Sequence, residues 1–428
     1  MKELKNNSGT STYLQCNEPV DKVIQSHLGF MEQHGIDVPE DFVKLPSFYW
    51  LPKLHKNPYG NRFIAASSAC TTKPLSRTLT HCLKLILKHY KQYCAGIERR
   101  TGINCFWVVN NSMEVINSLH TIRRAFSLDS FDFSTLYTKI SHDLLKTRMA
   151  KLINDAFSCR NANTIQISKT NAYLSSSMPD SPTDLTAPQV IRLFNFLIDN
   201  IYIQVGSSVF QQAIGIPMGT DCAPLIADLF LFSFEFDFMK KLICTDFSVA
   251  RKFNKTFRYI DDLLTLNNCQ FEKAIPDIYP KELELKKTTE SPKHCSYLDL
   301  NITISGLRFT TDLYDKREAF KFRIVNFPHM DSNIPTKPAY GVFISQLVRY
   351  LRVCGNYQQF ADRSSKLTSR LLKQGFDFTR LQNTFRKFLQ WNPITLRKYQ
   401  VSHKNMHVQC VPCPLSVFSS MCRHISTR

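Results

Sequence analysis

Phe257-Arg258-Tyr259-Ile260-Asp261-Asp262-Leu263-Leu264-Thr265-Leu266 is the stretch on which the reading of this chain turns. Two adjacent aspartates divide a short aromatic and aliphatic run from an apolar one, the pattern of two strands meeting at a tight turn. Carboxylates side by side at a hairpin tip repel each other. A divalent cation bridging them to substrate phosphates removes that repulsion, because hard Mg²⁺ favours one or two carboxylates plus phosphate oxygens. Taken alone, the dipeptide reads equally as an ordinary Asp-Asp turn, since Asp is a frequent turn former.

The surrounding chain changes the balance. Residues 125–140 read as a buried strand that runs into Asp132 and then turns. Residues 144–157 have helical periodicity, 158–187 are polar with Pro179 and Pro182 and are expected to form an inserted loop, and 188–200 return to helix. A hairpin over 201–212 follows, centred on Gly206-Ser207-Ser208. Next comes Ile214-Gly215-Ile216-Pro217-Met218-Gly219-Thr220, where two glycines bracket a proline ahead of a long helical stretch. Such a loop lets a backbone or base pair approach closely, and a helix N-terminus favours phosphate.

Upstream, Val20 to Met31 is amphipathic at helical spacing, and residues 45–68 form two extended segments around a Pro/Gly turn flanked by Lys53, Lys56 and Arg62. Cations at a hairpin tip suit a triphosphate, with Arg as a bidentate fork and Lys as a point charge; a solvated basic hairpin is the alternative. Residues 74–93 and 112–124 read as helices, the first with a basic outer face. Downstream, 295–304 alternates as a strand with 309–314 as its hairpin partner. Residues 340–391 are helical with repeated cations, among them Arg349, Arg352, Arg363, Lys366, Arg370, Lys373, Arg380, Arg386 and Lys387, a pattern suited to holding a duplex by its phosphates.

Composition sets the outer bounds. The 428 residues are 43% hydrophobic and 12% aromatic, which is ample for an enzyme core of two or three subdomains and excludes a disordered chain. A net charge of +19 points to a polyanionic partner, most simply nucleic acid. The 14 cysteines follow no regular spacing and the polar start has no apolar signal core, which implies a reducing, intracellular setting. The most apolar helical segment, 223–239, carries Asp228, Glu235 and Asp237 and therefore reads as a core helix with no role in a membrane.

Nucleotide polymerisation needs two metals, one activating a primer hydroxyl and one clamping the triphosphate, with carboxylates bridging them. Asp132 at a strand end and Asp261 and Asp262 at a hairpin turn supply such ligands if one sheet brings the two tips together. In this order the chain resembles reverse transcriptases, and within them the Penelope-like retroelement group. The resemblance spans about residues 45–390 and rests on Leu51-Pro52-Lys53-Leu54-His55-Lys56 with Arg62-Phe63-Ile64, Asp132-Phe133-Ser134-Thr135-Leu136-Tyr137-Thr138, Gly215-Ile216-Pro217-Met218-Gly219 and Tyr259-Ile260-Asp261-Asp262. Tyr297-Leu298-Asp299-Leu300 and Ser345-Gln346-Leu347-Val348-Arg349-Tyr350-Leu351-Arg352-Val353-Cys354 add to it.

The resemblance implies an α+β right-hand polymerase: an N-terminal helical extension over 1–44, fingers over 45–125, an antiparallel-sheet palm over 126–315 with the inserted loop, a helical thumb over 316–395 and a tail over 396–428. It implies an RNA-directed DNA polymerase of a retrotransposon that uses Mg²⁺, with Mn²⁺ as substitute. Its partners would be an RNA template, a DNA primer, the RNA-DNA duplex and deoxynucleoside triphosphates, in the nucleus if the element is active. Asp132 and Asp261 would be the main metal ligands, with Asp262 beside them. Lys53, Lys56, Arg62, Tyr137, Gly215, Pro217, Met218 and Gly219 would line the nucleotide site, and Lys286 or Lys287 would be the general acid to the leaving pyrophosphate. A ring at Tyr137 beneath the sugar would clash with a 2′-hydroxyl. Met218 stands where many reverse transcriptases have Gln, as expected in the Penelope-like group.

Two features depart from the pattern. No GIY-YIG nuclease segment precedes Arg428, so a nuclease-free or truncated copy is expected, and a relic that binds nucleic acid without polymerising is the alternative function. Cys410 and Cys413 have the spacing of a zinc knuckle, but Cys422 and His424 are crammed too close for the second pair, so tail cysteines without zinc are expected.

Overall fold

The computed structural model describes residues 12–393 and Tyr399, apart from 55–59, 135, 169–170, 182, 290, 321 and 323; the side chains of 60–63 and 319 also lie outside the described set. In chain order the elements are β1 (Tyr13–Cys16), α1 (Val20–Gln33), β2 (Ser47–Lys53), β3 (Gly60–Ala66), α2 (Lys73–Thr101), α3 (Ser112–Thr121), β4 (Leu128–Phe133), α4 (Leu136–Lys139) and α5 (His142–Arg160). They continue with β5 (Thr164–Ile167), β6 (Ala172–Ser175), β7 (Asp184–Leu185), α6 (Ala187–Asp199), β8 (Tyr202–Val205), β9 (Ser208–Gln212), α7 (Ala223–Thr245), α8 (Phe247–Lys252), β10 (Thr256–Tyr259), β11 (Asp262–Leu266), α9 (Phe271–Ile278) and β12 (Leu285–Lys287). The last are β13 (His294–Tyr297), β14 (Leu300–Ser305), β15 (Arg308–Leu313), α10 (Thr336–Val353), α11 (Tyr357–Leu372) and α12 (Phe378–Trp391). Two compact units result, one from the described parts of Met1–Asn110 and Ser127–Thr288, the other from those of Asn111–Phe126 and Thr289–Arg428.

In the first unit a four-stranded antiparallel sheet, ordered β10-β11-β4-β12, shares one apolar core with α7. Helix α7 buries Ile226, Phe230, Phe232, Phe236 and Met239 together with residues on its other faces, so it is surrounded by protein and not amphipathic. Each of its fully buried Phe rings contributes roughly 1.5–3 kcal/mol by leaving water. Helix α2 runs past the 74–93 read from the sequence, and Cys94 adds one more position to the buried stripe of Leu83, Ile86 and Tyr90. It ends at Gly102, which takes φ 70° and donates its N–H to Glu98 O at 2.7 Å. A second sheet, β1-β9-β8-β2-β3, carries the β2/β3 hairpin at its edge.

The polar stretch 158–187 departs from the expected loop. Thr164-Ile165-Gln166-Ile167 alternates, Ile165 is fully buried, and β5 pairs with both β6 and β7 in a three-stranded sheet. The Asn, Ser and Thr content masked a period of two that is only four residues long.

Helix α1 places His27 in the interior at 1% exposure, with Nδ1 2.7 Å from Thr71 Oγ1 and the ring against Phe196 and Tyr202. Burial pulls its pKa down to about 4. The folded protein therefore keeps His27 neutral where the unfolded chain binds a proton. Stability from this group is complete above pH 6.5 and is lost as pH falls from 6.5 towards 4, by about 2 kcal/mol at pH 5. Urea midpoints at pH 7 and pH 5 should show this loss in the wild type and a clearly smaller one in His27→Gln; equal losses would remove His27 as the cause.

In the second unit β13, β14 and β15 form an antiparallel sheet, α3 packs on β15 and α10, and α10 packs with α11 and α12. Leu298 takes φ 55° at the β13/β14 turn, and Arg349 of α10 donates to Asp299 in that turn at 3.0 Å. The two downstream motifs thus meet as one ion pair. Arg363 is likewise engaged by Asp312 and Glu318, and Arg370 lies 3.7 Å from Asp315. Lys366, Lys373, Arg386 and Lys387 face solvent. The basic helical pattern is therefore split between internal pairing and an exposed basic face.

Candidate active site at the end of the four-stranded sheet

The antiparallel register puts Asp262 of β11 directly across from Asp132 of β4, so the two side chains share one face of the sheet. Asp261 lies in the β10/β11 turn, where its carbonyl accepts from Phe133 N at 3.1 Å and ties the turn to the end of β4. The three aspartates are half-buried and sit at one end of one sheet. Among the described residues no group of three or more His, Cys, Asp or Glu side chains forms a ready metal cage. Mg²⁺ does not need one, because it binds through one or two carboxylates plus substrate oxygens, and the hard oxygen donors present here fit that ion.

On the other edge of β4, Lys286 is the register partner of Asp132 and Lys287 that of Phe131. Adjacent strand residues point to opposite faces. Lys286 therefore shares the aspartate face, where it is exposed and 3.3 Å from Glu284. Lys287 is turned away and pairs with Asp129 at 2.9 Å and Glu272 at 3.0 Å, and the hydrogen bond to Asp129 chiefly holds its pKa above the usual lysine value.

The glycine loop is bonded on both sides. Gly215 donates to Ile140 O at 2.7 Å, Ile216 donates to Tyr137 O at 3.1 Å, and His142 Nε2 lies 3.0 Å from Gly215 O. A Cβ on Gly215, which has φ 93°, would lie 2.1 Å from Tyr137 O. At the far end, Ala65 of β3 donates to Met218 O at 3.3 Å, Ser67 Oγ donates to Gly219 O, and a Cβ on Gly219 would lie 2.2 Å from Ala65 O. Only glycine permits both approaches. Backbone contacts therefore link β3, the glycine loop and Tyr137, which follows Asp132 by five residues in sequence. Pro217 is buried and shapes the loop, Met218 and Tyr137 are half-buried, and Gly219 is exposed. Lys53 ends β2 opposite Gly60, and Arg62 sits opposite Leu51 in β3. Lys56, the side chain of Arg62, and Cys410 and Cys413 lie outside the described residues.

Beneath the aspartate turn is a buried charge cluster that the motif reading did not identify. Arg258 is fully buried and uses all five of its N–H donors. Nε donates to Glu235 Oε1 at 2.5 Å, Nη2 to Glu235 Oε2 at 3.2 Å and Asp228 O at 3.0 Å, and Nη1 to Asp228 Oδ1 at 2.8 Å and Ile260 O at 3.1 Å. Tyr279 Oη donates to Glu235 Oε1 at 2.8 Å. Burial pushes the Asp228 carboxyl pKa up despite the guanidinium beside it. For Arg258, burial acts to lower the pKa, and the charges of Glu235 and Asp228 outweigh it, so the net direction is upward. The sequence signal was present: Asp228 and Glu235, seven residues apart within the most apolar part of the helix, share a face and need a buried partner.

No protein-family model and no curated protein matches the sequence. Among solved structures, the chain is similar to the telomerase of Candida albicans in complex with the TWJ fragment of telomeric RNA, at 12% identity and TM-score 0.57, over 94% of this chain and 68% of that one. It also aligns with the apo telomerase of Candida tropicalis truncated from its C-terminal domain, at 14% identity and TM-score 0.45, over 70% of this chain and 57% of that one. A third match is the sicinivirus 3Dpol RNA-dependent RNA polymerase, at 12% identity and TM-score 0.41, over 91% and 74%. The chain thus spans less than two thirds of the Candida tropicalis structure it matches. The fold is the α+β fold of reverse-transcriptase-like nucleic-acid polymerases. Among the described residues, no helix is long and apolar enough to cross a membrane.

Proposed function

We propose that the protein is an RNA-directed DNA polymerase of the Penelope-like retroelement type. Its fingers, palm and thumb would be divided as the sequence motifs divide them. The observation that carries this reading is the register of Asp132 with Asp262, clasped to the turn that holds Asp261, at the end of an antiparallel sheet. Asp132, Asp261 and Asp262 are the residues that would hold divalent cations, which when bound supply positive charge at the transferred phosphoryl group. Lys53, Lys56 and Arg62 neutralise the triphosphate, and the glycine loop, whose glycines pack against the backbone of Tyr137 and Ala65, holds Tyr137 beside it. The basic excess, together with Lys366, Lys373, Arg386 and Lys387, holds the primer-template phosphates. Primer extension by purified protein with deoxynucleotides and Mg²⁺ on primed RNA tests the reading; no incorporation by the wild type would end it.

Tyr137 supports a preference for deoxynucleotides, since its backbone is fixed by Ile216 next to the glycine loop. Tyr137→Ala should raise ribonucleotide use relative to deoxynucleotide use about 10–100-fold, the effect of removing a 1.4–2.7 kcal/mol clash. Equal use of both sugars by the wild type would refute this role.

Between the two candidate general acids, the strand register favours Lys286. Lys286→Ala should lower kcat about 10–100-fold, as expected when a general acid is lost, while Lys287→Ala should leave kcat within about 3-fold. The reverse ranking in single-turnover extension would reassign the proton donor to Lys287.

A further inference from the structure

The aspartate turn is strained. Ile260, a β-branched residue between Tyr259 and Asp261, takes φ 53° in the left-handed region, where such a side chain is a genuine outlier. A conformation of this kind costs on the order of 1–3 kcal/mol and persists only where its surroundings over-determine it. Here the surroundings are specific. The carbonyl of Ile260 accepts from Arg258 Nη1 at 3.1 Å, and its backbone also hydrogen-bonds the Asp228 carboxylate. Arg258 is itself fixed by Glu235, which Tyr279 orients, and by its own backbone, whose N–H donates to Trp107 O at 2.7 Å and whose carbonyl accepts from Val109 N at 2.9 Å.

We propose that Arg258, braced by Asp228, Glu235 and Tyr279, is a positioning residue that clamps Ile260 and so sets Asp261 and Asp262 for divalent-cation binding. This rests on the polymerase reading above. Arg258 has no free donor left for a substrate, so its action passes through the Ile260 backbone. A guanidinium is required and a charge alone is insufficient, because a lysine ammonium has three donors on a flexible stem and lacks the planar fork that reaches both acids and the Ile260 carbonyl at once.

The test compares wild type, Arg258→Lys and Tyr279→Phe by three measurements: Mn²⁺ binding followed by the electron paramagnetic resonance of the free ion, hydrogen exchange of the peptide spanning 259–263, and steady-state primer extension. Partners that orient metal ligands commonly change affinity or activity about 10–100-fold when mutated. Folded Arg258→Lys should therefore bind Mn²⁺ about 10-fold more weakly, exchange faster across the turn and lose about 10-fold in kcat, with KM for deoxynucleotide within about 2-fold. Tyr279→Phe, which leaves the charge pair in place, should shift the same readouts in the same direction by a smaller factor. It carries the test alone if Arg258→Lys does not fold. A folded variant with wild-type Mn²⁺ affinity and turn exchange overturns the proposal, even if its activity falls. A wild type that binds no Mn²⁺ and extends no primer overturns the polymerase reading, and this inference with it.

Discussion

Asp261→Ala protein is expected to extend a primer on RNA about 10³-fold more slowly than wild type, a loss of about 4 kcal/mol in transition-state stabilisation, and to remain folded. The size follows from the task. A carboxylate that bridges cations at a transferred phosphoryl group acts on charge that develops in the transition state, where electrostatic terms are largest. Asp132→Ala should be equally damaging, because it removes the only one of the three aspartates that β4 supplies. Asp262→Ala should cost less, about 10–100-fold, if Asp132 and Asp261 carry most of the coordination. Folding should be spared, since each aspartate is only half-buried and the turn is tied down by backbone bonds, among them Phe133 N to Asp261 O at 3.1 Å. Single-turnover extension with saturating primer-template gives the comparison. Incorporation undiminished in Asp261→Ala would remove the aspartates from the chemistry and leave the nucleic-acid-binding relic as the better account.

The motifs make the candidate site legible because the residues proposed for it stand in short local patterns. A tight hairpin with two aspartates, a strand that ends on a third, and a glycine-proline-glycine loop each have a sequence signature, and the sheet register then supplied what spacing alone leaves open. Which of Lys286 and Lys287 shares the face of Asp132 is one such gap. Both residues are basic and adjacent, and only knowing which is opposite Asp132 separates them. The strand content of 158–187 was hidden for a different reason: its strands are four, four and two residues long, too short for alternation to stand out from a polar background. The cations of α10 and α11 divide in a way that composition does not show. Composition counts Arg349 and Arg363 with the rest, whereas tertiary structure pairs them with Asp299, Asp312 and Glu318. Charge along a helix does not reveal which acids the fold brings to it.

The Arg258 cluster shows most sharply what needs three dimensions, and it sets the largest stability effect expected of this chain. Glu235 is fully buried, accepts twice from Arg258 and once from Tyr279, and is one of two acids facing that guanidinium. Glu235→Ala removes the acceptor of Nε and leaves a buried cation with Asp228 alone. Breaking a buried pair by deleting one partner costs about 3–5 kcal/mol. Urea unfolding monitored by circular dichroism should give a loss of that size, and a loss below about 1 kcal/mol would mean that water reaches the guanidinium once Glu235 is gone. Replacing the whole cluster separates stability from function. With Asp228→Leu, Glu235→Leu, Arg258→Met and Tyr279→Phe together, no charge remains to be buried, and apolar substitution of a buried ion cluster is often neutral or stabilising by about 1–4 kcal/mol. Most of the lost stability should therefore return. Mn²⁺ affinity should not, because nothing then holds the Ile260 carbonyl. A cluster kept only for stability would show both recovering together; a cluster that shapes the aspartate turn yields a protein as stable as the wild type that binds the cation poorly.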